Sequence, residues 1–148
     1  MRDWQALVRD GSIERRKSSE NEISGLIKRA DLYLADSKEK GISLELRYQA
    51  AYESGRIWCD IALRAAGYRA KTSGHHESVI SALAEIIGPD ARKPALILDK
   101  ARKIRHTLMY GGEFGLITKK NVSELILTVT GVKKLMLDWL RERKSQFT

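Results

Sequence analysis

The stretch SLELRYQAAYESGRIWCDIALRAAG, Ser43 to Gly67, decides the fold. A hydroxyl at Ser43 can cap a helix. Behind it Leu44, Tyr48, Ala51, Gly55, Trp58, Ala62 and Ala66 recur by threes and fours, the period of a bundle seam. The small residues Ala50, Ala51, Ser54 and Gly55 leave room for another helix to approach closely. Tyr52, Arg56 and Asp60 form a polar stripe beside the seam. The simplest expectation for it is an Arg56–Asp60 surface ion pair, worth at most about 0.5 kcal/mol. The alternative is that Tyr52 and Arg56 face a basic edge of a later helix across a groove.

The same period extends in both directions. Upstream, Ser19-Glu-Asn-Glu22 has the form of a capping box. It precedes Ile23, Leu26, Ile27, Ala30 and Leu34, and Lys40-Gly41 ends the run. Residues 1–18 form a short charged segment, with a brief helix expected from Asp3 to Val8 and docked through Trp4. Downstream, Tyr68 to Gly74 reads as a basic loop. A third long helix is expected from His75 or His76 through Val79, Ile80, Leu83, Ile86 and Ile87 to Gly88-Pro89. Pro94 belongs in a first helical turn, so a fourth helix is expected from Lys93 to Tyr110. Thr118 caps a fifth, with Val122, Leu125, Val129, Val132, Met136 and Trp139 on one face and a charged end at Arg141 to Lys144. Alternating strand patterns and internal repeats are absent from the sequence. The expectation is an all-α, up-and-down bundle of about five helices, one domain over residues 1–148.

Composition narrows the function classes. With 27 Lys and Arg against 19 Asp and Glu, the net charge is +8, which favours acidic partners. The single Cys59 cannot form an internal disulfide and suits a reducing compartment. No apolar run approaches the roughly 18 residues needed to span a bilayer, and Met1 to Gln5 opens no signal-peptide pattern, so a cytoplasmic protein with no membrane partner is expected. His75-His76-Glu77 does not make a zinc site, because adjacent histidines diverge on a helix and no cysteine pair completes a ligand set. No metal and no cofactor is expected; the histidines are better placed as first-turn or groove-rim polar groups.

The chemistry concentrates in Asp99 to Gly112, DKARKIRHTLMYGG. Ala101, Ile104 and Leu108 mark the buried stripe of this helix, while Arg102, His106 and Tyr110 line a second stripe with Arg105 beside it. Two guanidiniums, an imidazole and a phenol along one helix edge suit phosphate or RNA. A solvated basic edge at the helix C-terminus explains the same residues without a ligand.

Two stretches resemble the HEPN family (higher eukaryotes and prokaryotes nucleotide-binding domain). One is Tyr48 to Arg56 with its continuation to Arg69, similar to the family's alanine- and tyrosine-rich helix and the loop that follows. The other, Lys103 to Gly111, is similar to the family's late motif of an arginine, a polar residue and a downstream histidine. In that motif Arg105 is the arginine, His106 the polar residue, and Tyr110 stands where the histidine is expected. The resemblance spans roughly residues 20–142 and implies a homodimer with the motif at the two-fold cleft. It also implies RNA or nucleotide as ligand, in a toxin–antitoxin or defence setting. Any enzyme would be a metal-independent endoribonuclease, weak or lost, with Arg105, His106 and Tyr110 catalytic and Arg102, Arg56 and Tyr52 binding. A phenol is a poor base at neutral pH, so proton transfer would fall to His106. The other reading within the resemblance is a non-catalytic, substrate-binding partner of a small nucleotidyltransferase. A helical DNA-binding or scaffold protein ranks below both, since no helix-turn-helix pattern is present.

Overall fold

Three helix starts follow directly from local chemistry. In the computed structural model, which describes residues 3–71 and 76–147 and side chains to position 143, Ser19, Ser43 and Thr118 each cap a helix with the side-chain oxygen. Their partners are the backbone N–H groups of Glu22, Leu46 and Asn121, at 3.1, 3.2 and 3.1 Å. At Thr118 the box is reciprocal, because its own N–H donates to Asn121 Oδ1 at 2.9 Å. These caps open α2 (Glu20–Ser37), α3 (Leu44–Ala65) and α6 (Lys119–Phe147). A short α1 (Trp4–Arg9) precedes them, and α4 (His76–Ile87), a 3-10 turn (Pro89–Ala91) and α5 (Arg92–Tyr110) lie between α3 and α6. The five long helices match the expected bundle. Helix α5 ends as anticipated, with Gly111 at its cap and Gly112 in the left-handed region at φ +71°. The Arg141–Lys144 end does not stop α6, whose helical backbone continues to Phe147. None of the described helices is long and apolar enough to cross a membrane.

Helix α3 is the centre, packed against α2, α4, α5 and α6. Its seam is buried from Tyr48 to Ala62, with Ala51, Trp58 and Ala62 fully enclosed, and half-buried at its ends, Leu44 and Ala66. The small residues do what their size allows. Ser54 lies against α2, its hydroxyl donating to the Ala30 carbonyl at 2.7 Å. At Gly55 both α5 and α6 close in, so that an added Cβ would sit 2.5 Å from Leu98 Cδ2 and 3.1 Å from Val129 Cγ2.

Two expectations need correction. Tyr68–Ala70 is not loop but a strand, β2, paired antiparallel with β1 (Ile13–Arg15) in the register Ile13↔Ala70, Glu14↔Arg69, Arg15↔Tyr68. Three-residue strands are too short for alternation to reveal them. With the edge-to-face contact of Trp4 on Tyr68 and the burial of Leu7, this ribbon holds the N-terminal segment to the body. The second correction concerns the capping box at Ser19. Its Glu22 side chain reaches Arg69, at 2.7 Å, and Arg64, at 3.8 Å. Cross-element charge has outcompeted the local cap.

Gly55 and Gly131 should respond oppositely to substitution. Gly55→Val overpacks a closed contact and is expected to cost about 2 kcal/mol. Nothing lies within 4 Å of a Cβ at exposed Gly131, inside α6, so Gly131→Ala should add about 0.5–1 kcal/mol through helix propensity. Urea denaturation of the two variants measures both.

Candidate functional site

Two networks of charge flank α3, and they differ in balance. Toward β2, Asp60 binds Arg64 at 3.0 Å while Glu22 serves Arg64 and Arg69. Two carboxylates there meet two arginines, as a structural network would. The expected Arg56–Asp60 pair does not form: Asp60 takes the arginine one turn on, and Arg56 turns back to Glu53 at 2.9 Å.

On the α5 side the balance fails. Glu53 is shared between Arg56 and Arg105, whose Nε stands 3.8 Å away, beyond hydrogen-bond reach. Asp99 is shared between Arg102, at 3.0 Å, and Lys103, at 3.6 Å. Four cations thus divide two carboxylates. The Arg105 Nε is buried and has no hydrogen-bond partner. Its guanidinium lies over the Tyr52 ring, 5.7 Å from the centroid, a cation–π contact that holds it without consuming its donors. The groove expected between the Tyr52–Arg56 stripe and the Arg105 edge is therefore present as an arginine cluster between α3 and α5.

Beneath it sits a group whose role the sequence left general. Tyr52 is fully buried, and its hydroxyl lies 2.7 Å from Nδ1 of His76, the first residue of α4. The two rings stack with centroids 5.8 Å apart. Burial, then the Arg56 charge, with Arg105 and Arg102 adding to it, hold the His76 pKa down at about 4 despite Glu53. Burial drives the Tyr52 phenol far above its ordinary value, with the Glu53 charge second. The pair is neutral near pH 7, and Tyr52 is excluded as a base. His75 lies outside the described residues.

The remaining motif residues go elsewhere. His106 and Tyr110 are exposed on the outer part of α5, their rings 4.8 Å apart. Adjacent positions on a helix diverge by about 100°, so Arg105 enters the cluster while His106 faces solvent. Within one chain the structure brings Arg105 to Tyr52 and to the carboxylate of Arg56, with Arg102 near enough to act on His76, while His106 and Tyr110 lie exposed outside the cluster. Sequence reading did not single out Glu53 and Asp99, although Glu53–Arg56 and Asp99–Arg102 stand at the i, i+3 spacing that pairs charges. No local pattern announces the Tyr52–His76 contact.

On the far side of Glu53, a cavity of about 440 Å³ opens among Tyr33, Asp36, Glu39, Leu46 and Gln49. With Asp36, Glu39 and Glu53 on its lining it does not suit phosphate.

The chain matches no protein-family model, no curated protein and no solved structure.

His76 should make stability pH-dependent. Its folded pKa is depressed from 6.5 to about 4, so its contribution is full above pH 6.5. As pH falls toward 4 the unfolded chain takes up a proton that the folded chain refuses, and the contribution is lost. Thermal midpoints of the unmodified protein should therefore fall relative to those of His76→Gln between pH 6.5 and 4. Parallel curves would contradict this.

Proposed function

We propose that this chain is a HEPN-like protein that binds RNA or nucleotide phosphate through Arg56, Arg102 and Arg105. The observation that carries the reading is the excess of cations over carboxylates in the α3–α5 cluster. Half-buried like charges repel, so an anion is the partner that suits the cluster, reached through the parts of the guanidiniums that remain exposed. The net charge of +8 supports the same class of ligand. Arg105→Ala should weaken binding of a single-stranded RNA at least tenfold with the helical content unchanged. Arg105→Lys should weaken it too, because an ammonium cannot grip phosphate bidentately. Affinity should fall with added salt. Unchanged affinity in Arg105→Ala, measured by fluorescence anisotropy, would place the ligand elsewhere.

The protein acts as a homodimer, in a toxin–antitoxin or defence setting. Support comes from the apolar groups left uncovered where α5 ends: Met109, Tyr110, Phe114, at 92% exposure, and Leu116. Endoribonuclease activity is weak or lost in this reading, and metal-independent where it occurs. Arg105 would stabilise the charged phosphorane, His106 would move the proton and Tyr110 would orient the substrate. Since Arg105 and His106 diverge within one chain, they would have to meet across two. Light scattering at about 50 μM should give twice the mass of one chain, and Phe114→Asp should shift the population toward monomer. A strict monomer without the substitution would remove both the dimer and this route to cleavage.

A second reading has its own observation. Tyr110 is 71% exposed, so its side chain is open to docking or modification by a small nucleotidyltransferase, with this chain as the non-catalytic subunit.

A further inference from the structure

We infer that the α3–α5 cluster is a seat for a terminal phosphate, a phosphomonoester dianion such as the phosphorylated end of an RNA, and not for the internal backbone. The inference rests on the phosphate-binding reading above and adds to it which phosphate is held.

Charge is the first argument. Arg56, Arg105 and Arg102 share Glu53 and Asp99 as their ion-pair partners, and Lys103, its side chain 68% exposed, joins Asp99 from the rim. One positive charge is left over inside the cluster and a second at its rim, and the Tyr52–His76 pair adds none near neutrality. An internal phosphodiester carries one negative charge. A phosphomonoester, with its second ionisation near pH 6, carries close to two at pH 7 and above. The dianion is the ligand that neutralises the cluster.

Geometry is the second. Backbone tracking needs cations strung along a surface, one per nucleotide, with side chains free to follow the strand. Here the arginine side chains are only 24–30% exposed and are tethered from two helices to one place. The Arg105 guanidinium is further fixed over Tyr52. A planar guanidinium presents paired donors that match the oxygens of a phosphate, and three converging on one place suit a group with three free oxygens. A phosphodiester offers two.

Three versions of one ten-nucleotide RNA test the assignment: 5′-phosphate, 3′-phosphate, and hydroxyl at both ends, with inorganic phosphate as competitor. One phosphorylated RNA, or both, should bind about tenfold more tightly than the hydroxyl form at pH 7.5, and millimolar inorganic phosphate should erase that advantage. Which end is preferred identifies the source of the phosphate. Arg102→Gln should weaken binding of the phosphorylated RNA more than that of the hydroxyl form, so that the difference between them shrinks severalfold. Occupancy should also raise the His76 pKa, seen by NMR as a shift of its imidazole titration that inorganic phosphate alone reproduces. Equal binding of all three RNAs, lost in Arg105→Ala, would overturn the terminal-phosphate assignment and leave the phosphate-binding function standing. No binding of any RNA, and none of inorganic phosphate, would remove both.

Discussion

Helix α3 is packed against all four of the other long helices, and that enclosure constrains every polar group it carries. A buried polar atom without a partner costs on the order of 1–3 kcal/mol, so the polar side chains of α3 mostly find partners along the helix or on its neighbours, Trp58 Nε1 being an exception. Ser54 finds a carbonyl on α2, Asp60 finds Arg64 along the helix, and Tyr52 finds His76 on α4. The first and last of these tie α2 and α4 to the centre, while Asp60 is satisfied within α3. The bundle is thus held by apolar burial and also by a set of polar commitments radiating from one helix.

The α5 side of α3 is where those commitments are incomplete. Glu53 cannot satisfy both Arg56 and Arg105, and the Arg105 Nε stays buried without a hydrogen bond. The opposite network, Asp60 and Glu22 with Arg64 and Arg69, matches two carboxylates to two arginines, although its Arg69 Nε is likewise buried without a hydrogen bond, so it is the charge count that sets the α5 side apart. Local rules broken without compensation tend to mark function. The cation–π contact to Tyr52 explains how Arg105 tolerates its position, since the ring face attracts the cation and leaves the guanidinium donors unspent.

Much of this was legible because it is local. The caps at Ser19, Ser43 and Thr118, the seam from Leu44 to Ala66 and the end of α5 at Tyr110 all depend on residues within a few positions of each other. What escaped was decided across the chain. Ile13–Arg15 pairs with Tyr68–Ala70 over a long separation, with only three residues per strand. Glu22 had a cap to complete and an arginine within reach, and the arginine won. For Arg56 both Glu53 and Asp60 stood at helical spacing, and no rule of spacing chooses between i−3 and i+4. The opposition of Tyr52 and Arg56 to the Arg105 edge was legible as a pair of polar stripes. Their convergence on His76 was not, because a helix stripe does not name the neighbour it will face.

The site is also bound to the core through its smallest residue. Arg102 and Arg105 lie four and seven positions beyond Leu98, and Leu98 is the side chain that settles against Gly55. Arg56 is the next residue after that glycine. The contact that lets α5 approach α3 therefore lies beside the arginine α3 contributes and about one to two turns from the two supplied by α5. A side chain at position 55 would push α5 outward at the point where its register against α3 is set. Arg105 would move off Tyr52 and away from the carboxylate it shares with Arg56, while Asp99–Arg102, within α5, would travel intact. The precision of the cluster is in this sense a packing property: the absence of one Cβ allows cations from two helices to share so few carboxylates in so small a space.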